Sequence, residues 1–166
     1  MPGLLELRGA VTLALHAAVF LASHPERLVS TKNMAQQMSV SEAHLAKVLQ
    51  RLSKCGIVSA IRGPRGGFRL AKRSDQITLR EVYETIEGPI IPHSCLFGTP
   101  VCRGNGCILG NVLREADHNF RDRLSRRRLS DLTHVFGSHE GQDKSFPGER
   151  GEAYEVPRSG YALLGT

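Results

Sequence analysis

Three cysteines fall within thirteen residues: Cys95, Cys102 and Cys107, spaced C-x6-C-x4-C. Thiols this close together either ligate a soft metal or exchange electrons with one another. An iron–sulfur cluster is one use, since thiolates hold such clusters and Gly98, Gly104 and Gly106 let a loop wrap around one. Structural zinc is a second, although zinc sites usually show C-x2-4-C pairs with four protein ligands, and neither spacing here is that short. A thiol–disulfide switch between Cys102 and Cys107 is a third. Crowding of this kind does not suit a secreted disulfide framework, so the four cysteines of the chain point to a reducing compartment and a cytoplasmic protein. Cys55 stands apart beside Leu52 and Ile57 and reads as a buried structural thiol.

A second chemical feature is the turn Gly63-Pro64-Arg65-Gly66-Gly67. It lies between the strand-like run Ile57–Arg62 and Phe68-Arg69-Leu70, so the segment reads as a hairpin tipped with Arg62 and Arg65. Glycine lets backbone approach phosphate closely, and arginine can grip phosphate or enter a narrow minor groove. The turn lacks the Lys-Ser/Thr of a nucleotide-binding P-loop and opens no helix, which argues against that use.

The elements before the hairpin would position it. Leu7, Val11, Ala14, Leu15, Ala18, Leu21 and Ala22 recur at helical spacing. Ser30 is a good N-cap for a short helix from Thr31 to about Gln37. Met38-Ser39-Val40 makes a tight connection, and Ser39 with Glu42 has the spacing of a capping box. The next helix carries Leu45, Val48, Leu49 and Leu52 on one face and ends near Cys55-Gly56, with Lys47, Gln50, Arg51 and Lys54 on its outer side. A short helix, a turn and a second helix with a basic outer face form a helix-turn-helix, and the hairpin adds a wing. Thr78 and Glu81 predict a further capped helix over 77–87, with Ile77 and Val82 as its staple. Beyond Cys107, the residues Ile108, Leu109, Val112, Leu113, Ala116, Phe120 and Leu124 mark one long amphipathic helix. Arg126-Arg127-Arg128 reads as a solvated turn, residues 129–136 as a short helix, and the glycine-interrupted residues 137–166 as a flexible tail. The expected fold is mainly α with a small β-hairpin wing. Residues 1–90 form the winged helix-turn-helix domain, 91–107 the cysteine loop, 107–136 the dimerisation and terminal helices, and 137–166 the tail.

Composition narrows the function. At 166 residues, 40% hydrophobic and 23% charged, the chain is of ordinary globular size and balance. With no Trp and three Tyr it offers no aromatic stacking platform. Residues 1–80 hold twelve Lys and Arg against four Asp and Glu, whereas the rest is slightly acidic, so the front half suits a polyanion. The apolar run 9–22 is broken by Thr12 and His16 and is too short to span a bilayer, so no membrane partner is expected. No nucleophile–base set and no catalytic zinc pattern is present, which argues against an enzyme.

Residues 30–88 resemble the DNA-binding domain of the Rrf2 family of bacterial winged-helix regulators. The resemblance rests on Met34-Ala35, Val40-Ser41, Leu45-x-x-Val48-Leu49-x-x-Leu52, Gly56-Ile57-Val58, the run 62–70 and Ile77-Thr78. It extends over about 7–132 and points to the IscR- and NsrR-like branch, which binds iron–sulfur clusters. That branch implies a homodimeric transcriptional regulator, often a repressor, on a near-palindromic double-stranded DNA operator. Its recognition helix would turn Ser41, Ala43, His44, Ala46, Lys47, Gln50 and Arg51 to the major groove or its phosphates. Arg62 and Arg65 would serve the minor groove or phosphate. Cys95, Cys102 and Cys107 stand where cluster-binding members carry their ligands, between the wing and the dimerisation helix. The cluster, 2Fe-2S or 4Fe-4S, would report redox state, nitric oxide or iron status by fixing the loop that sets the spacing of the two recognition helices. Gly110 departs from the members that place a histidine there. Others take the remaining ligand from the partner subunit's first helix, where Thr12 and His16 align here, which makes His16 a candidate, with His93 closer in sequence. The alternative is a winged-helix regulator without a cluster, using a thiol switch or a small-molecule effector.

Overall fold

The computed structural model describes residues 9–63, 65–91 and 112–136. Cys95, Cys102, Cys107, His93, Pro64, the stretch 107–111 and the tail 137–166 lie outside them, as do the expectations attached to them. The elements are α1 (Gly9–Ala22), α2 (Thr31–Met38), α3 (Glu42–Lys54), β1 (Val58–Ile61), β2 (Gly67–Leu70), α4 (Leu79–Glu87) and α5 (Val112–Arg126). Short 3-10 segments cover Ser74–Gln76 and Leu129–Val135.

Helix α1 is the axle of the fold. Leu7 lies outside the described residues, and from Val11 onward the expected stripe is there, but Leu13, Ala17, Val19 and Phe20 are buried as well, so most of the circumference is covered. A helix apolar nearly all round must be enclosed by others, and α3, α4, β2 and the segment Leu129–Val135 pack against it. Leu45, Val48, Leu49 and Leu52 of α3 complete the same core, together with Met34, Val58, Ile77, Val82 and Leu129.

The turn between α2 and α3 departs from the expected capping. Ser39 ends α2 in the left-handed conformation, at φ 53°, with Val40 N–H donating to Ala35 O at 3.0 Å. A residue turned that way cannot also take the extended backbone of an N-cap. Ser41 caps α3 instead, its hydroxyl accepting from His44 N–H. Cys55 is a second correction, because it is exposed rather than buried. Helix α3 stops at Lys54, and Gly56, at φ 71°, swings the chain so that Ile57 N–H reaches Leu52 O at 3.0 Å. The closure carries Ile57 into the core and leaves the thiol outside.

The hairpin pairs β1 and β2 antiparallel, with Val58 opposite Leu70 and Ile61 opposite Gly67. Its base is sewn to the chain before α2 by two hydrogen bonds, Val29 N–H to Phe68 O at 3.0 Å and Phe68 N–H to Val29 O at 2.9 Å. Gly67 sits so near this seam that a Cβ there would lie 2.7 Å from Val29 O.

Helix α4 carries the expected capping box, Thr78 with Glu81, and both Ile77 and Val82 are buried. Its start is tied to the end of α5 by backbone: Leu79 N–H donates to Arg127 O and Leu129 N–H to Ile77 O, each at 3.0 Å. Arg127 and Arg128 are exposed, but their backbone belongs to this bridge, and the Arg128 guanidinium donates to Asp75 O at 2.9 Å. Midway along the two helices, Tyr83 meets Phe120 edge to face, so α4 and α5 run antiparallel.

Candidate nucleic-acid interface

Between the outer side of α3, the start of α2 and the hairpin runs an open groove of about 730 Å³. Lys32, Gln50, Ser53, Lys54 and Arg62 line it, with the backbone of Gly63, Gly66 and Gly67 along the hairpin. Lys32 and Lys54 were not singled out from sequence as contacts. Only the basic excess of the front half hinted at Lys32, which the hairpin brings within reach.

A helical wheel sorts the candidates on α3. At about 100° per residue, Ala43, Lys47, Gln50 and Lys54 fan around the centre of the exposed arc. All four are exposed, and Ala46 is half-buried towards the groove. Ser41 is exposed, but its hydroxyl is engaged as the α3 cap. His44 and Arg51 lie at the flank of the arc farthest from the wing. His44 lines a different hollow, of about 490 Å³, together with Thr12, Leu13, His16, Met38 and Val40. The Arg51 guanidinium donates to Ile86 O of α4 at 2.6 Å. Arg62 and Arg65 are both exposed, and Arg65 borders a smaller hollow with Arg27, Ser30 and Asn33. Gly66 is required at the tip: a Cβ there would run into Ile61 O.

His16 is exposed on α1, and its Nδ1 lies 2.7 Å from Thr12 O. A carbonyl only accepts, so Nδ1 is the donor in this bond and Nε2 takes no part in it. Among the described residues no three His, Cys, Asp or Glu side chains gather as a metal site, and the three clustered cysteines lie outside those residues. Among the same residues no helix is long and apolar enough to cross a membrane.

Two carboxylates that follow the hairpin in sequence are held by arginines. The Arg73 guanidinium holds the Asp75 carboxyl below its usual range through a two-pronged contact at 2.8 and 3.1 Å. Burial pushes the Glu84 carboxyl up, yet Arg80 at 2.9 Å and the Ile90 N–H at 3.1 Å outweigh it and hold the group below the ordinary value.

A helix-turn-helix with a polar, basic outer face, a glycine-rich wing beside it and a long helix after it defines a winged helix-turn-helix DNA-binding protein. The family described as Rrf2, iron-dependent transcriptional regulator, matches residues 7–135. A protein of Aquifex aeolicus (strain VF5), named as an HTH-type transcriptional regulator, is 33% identical over 132 residues, covering 78% of this chain and 92% of the relative. The chain belongs to the Rrf2 family of transcriptional regulators, which bind DNA and are not enzymes. Among solved structures it is similar to CymR (YrzC), the global cysteine regulator of B. subtilis, with a TM-score of 0.68 and 26% identity over 80% of this chain and 98% of that one. It shares the fold of T. potens IscR, with a TM-score of 0.64 and 20% identity over 84% of this chain and 93% of that one.

Proposed function

We propose that this chain works as a homodimer that binds a near-palindromic duplex operator and regulates transcription in response to a signal received by its cysteine segment. The single observation that carries the DNA reading is the groove joining the outer arc of α3 to the hairpin, lined by Lys32, Gln50, Lys54 and Arg62. In this reading Ala43, Ala46, Lys47 and Gln50 face base edges and phosphates of the major groove, with Ser41 and His44 towards the helix start. Arg62 and Arg65 reach phosphate or the minor groove. Residues 1–90 are the DNA-binding unit, 91–107 the sensor loop, 107–136 the dimer helix with its terminal turn, and 137–166 a tail. Fluorescence anisotropy with duplex DNA across a salt series tests it. The expected result is a binding constant whose logarithm falls linearly with log salt concentration. Absent binding, or binding that ignores salt, would remove the reading.

For the signal, two inputs are each favoured by an observation. Similarity to the cysteine regulator CymR, at 26% identity against 20% for IscR, favours an input without a cluster: a Cys102–Cys107 thiol switch or a small-molecule effector. The donor set favours an iron–sulfur cluster. Cys95, Cys102 and Cys107 supply three thiolates, the family's description names iron, and the partner subunit's His16, whose Nδ1 is the atom bonded to Thr12 O, offers its Nε2 for the remaining position. Such a cluster supplies chemistry that oxidation, nitric oxide or iron loss can alter. A visible spectrum of anaerobically purified protein, with iron and sulfide assayed on the same sample, separates the inputs. Brown protein with matched iron and sulfide is the cluster outcome. Colourless protein that cannot be reconstituted is the other.

A further inference from the structure

Arg51 sits on the helix that reads DNA, and from the sequence it is one of four polar long side chains on that helix's outer side. The structure separates it from the other three. Lys47, Gln50 and Lys54 fan around the middle of the exposed arc, and Gln50 and Lys54 line the wing groove. Arg51 lies on the opposite flank, where the arc meets the core position Val48. There its Nη2 donates to Ile86 O, at 2.6 Å, in the last turn of α4.

That carbonyl is one of the last of its helix, and such carbonyls lack an intrahelical partner. A charged donor placed on it is held more firmly than a neutral one, and the negative end of the helix dipole favours the guanidinium. The same turn is also braced by its own neighbours. Gly88 N–H donates to Glu84 O at 2.9 Å, and Ile90 N–H to the Glu84 carboxylate at 3.1 Å, which also holds Arg80. The far end of α4 is fixed by backbone to the end of α5 through Leu79 with Arg127 and Ile77 with Leu129. So α4 is anchored at both ends, and its later end reaches α3 through Arg51.

We infer that Arg51 is a positioning residue rather than a DNA contact: it sets the angle of the recognition helix by tying its last turns to the end of α4. The inference rests on the DNA-binding reading above and deepens it. The bond to Ile86 O leaves the charge in place but holds the guanidinium at the flank away from the wing groove, so in this inference it meets no phosphate and adds nothing to counterion release. Its influence falls on geometry, and therefore on discrimination between duplexes, because base contacts tolerate misplacement far less than phosphate contacts do.

The test compares the full-length protein with Arg51→Met and Arg51→Lys. Each is titrated over a salt series with a duplex that the wild type selects from a random-sequence pool and with a scrambled duplex of equal length. Arg51→Met, which keeps the apolar stem, is expected to lose about tenfold in affinity for the selected duplex, within the usual range for a disturbed base-contact geometry. Its affinity for the scrambled duplex and its salt slope stay as in wild type. Arg51→Lys, still able to donate to the carbonyl, recovers part of the loss. Equal losses on both duplexes, with a salt slope smaller by about one, would make Arg51 a phosphate contact and overturn the inference. A loss without lysine rescue would overturn it as well. Should the methionine variant fail to fold, the guanidinium NMR signals of Arg51 in the wild-type protein decide. Signals protected in the free protein and unmoved by the selected duplex support the tie, and signals that shift on its addition refute it. If wild-type protein binds neither duplex, the DNA-binding reading fails, a result distinct from any Arg51 outcome.

Discussion

Helices α3 and α5 are both amphipathic and of similar length, 13 and 15 residues, but they treat their apolar faces differently. In α3 the four stripe residues Leu45, Val48, Leu49 and Leu52 are all at most 2% exposed, and what faces solvent is polar and basic. In α5 only Leu124 is buried. Phe120 and Leu113 are half-covered, Ala116 is exposed and Val112 is 63% exposed. The contrast teaches that one helix is completed inside the chain and presents a finished polar surface, while the other keeps apolar area in water. Covering that area on association would be favourable by roughly 25 cal/mol per Å², which is the drive the proposed dimer needs.

The largest effect that would break the contrast comes from α3. Leu49→Ala empties a fully buried position and is expected to destabilise the fold by about 2–5 kcal/mol, read by denaturant unfolding. A cost below about 1 kcal/mol would mean the α3 stripe is no better enclosed than that of α5. Next, replacing Arg62 and Arg65 by alanine leaves that stripe intact, so the melting temperature should hardly move. Duplex affinity should fall, and the salt slope should shrink by about 1.8 if both side chains meet phosphate. An unchanged slope would take the hairpin out of the interface.

On the other side of the contrast, Ala116→Asp places a charge in the exposed apolar stripe of α5. It should shift the protein from dimer to monomer in sedimentation experiments, while far-ultraviolet circular dichroism stays near wild type. An unaltered sedimentation coefficient would mean that something other than a second copy covers the stripe. The smallest effect concerns pH. The Glu84 carboxyl is held below its ordinary 4.5 in the folded protein, so its contribution is present above that value and is lost as pH falls through the lower folded one. Glu84→Gln should flatten the acid side of the stability profile by a few tenths of a kcal/mol, the usual size for an i,i+4 pair.

Features that depend on neighbours three or four residues away were legible beforehand. The Thr78–Glu81 capping box, the apolar face of α3 and the hairpin around 63–67 are of this kind. Each is a contest among a few adjacent backbone and side-chain groups, and the chain carries all the contestants. Two local expectations still failed, for a reason that lies one step further out. Ser39 and Ser41 are both competent caps, and the choice between them depends on how α2 must end before α3 can begin. Cys55 follows an apolar stripe in register, but the closure of Ile57 N–H onto Leu52 O takes the core position and turns the thiol outward.

What the linear order left open is what distant segments bring together. No local rule relates Val29 to Phe68, Thr78 to Arg128 or Arg51 to Ile86, each pair separated by a long stretch of chain. Residue type makes Arg51 and Lys54 alike on the outer side of α3, and the helical period separates them by only about 60°. Packing of α4 against α3 gives one of them a carbonyl to hold and leaves the other to the groove. Local hydrogen bonding and apolar periodicity therefore specify the elements of this protein and its class of partner. Burial of α1 among the other elements, and the partners that packing creates for long side chains, decide which side chains of α3 line the groove and which are tied to α4.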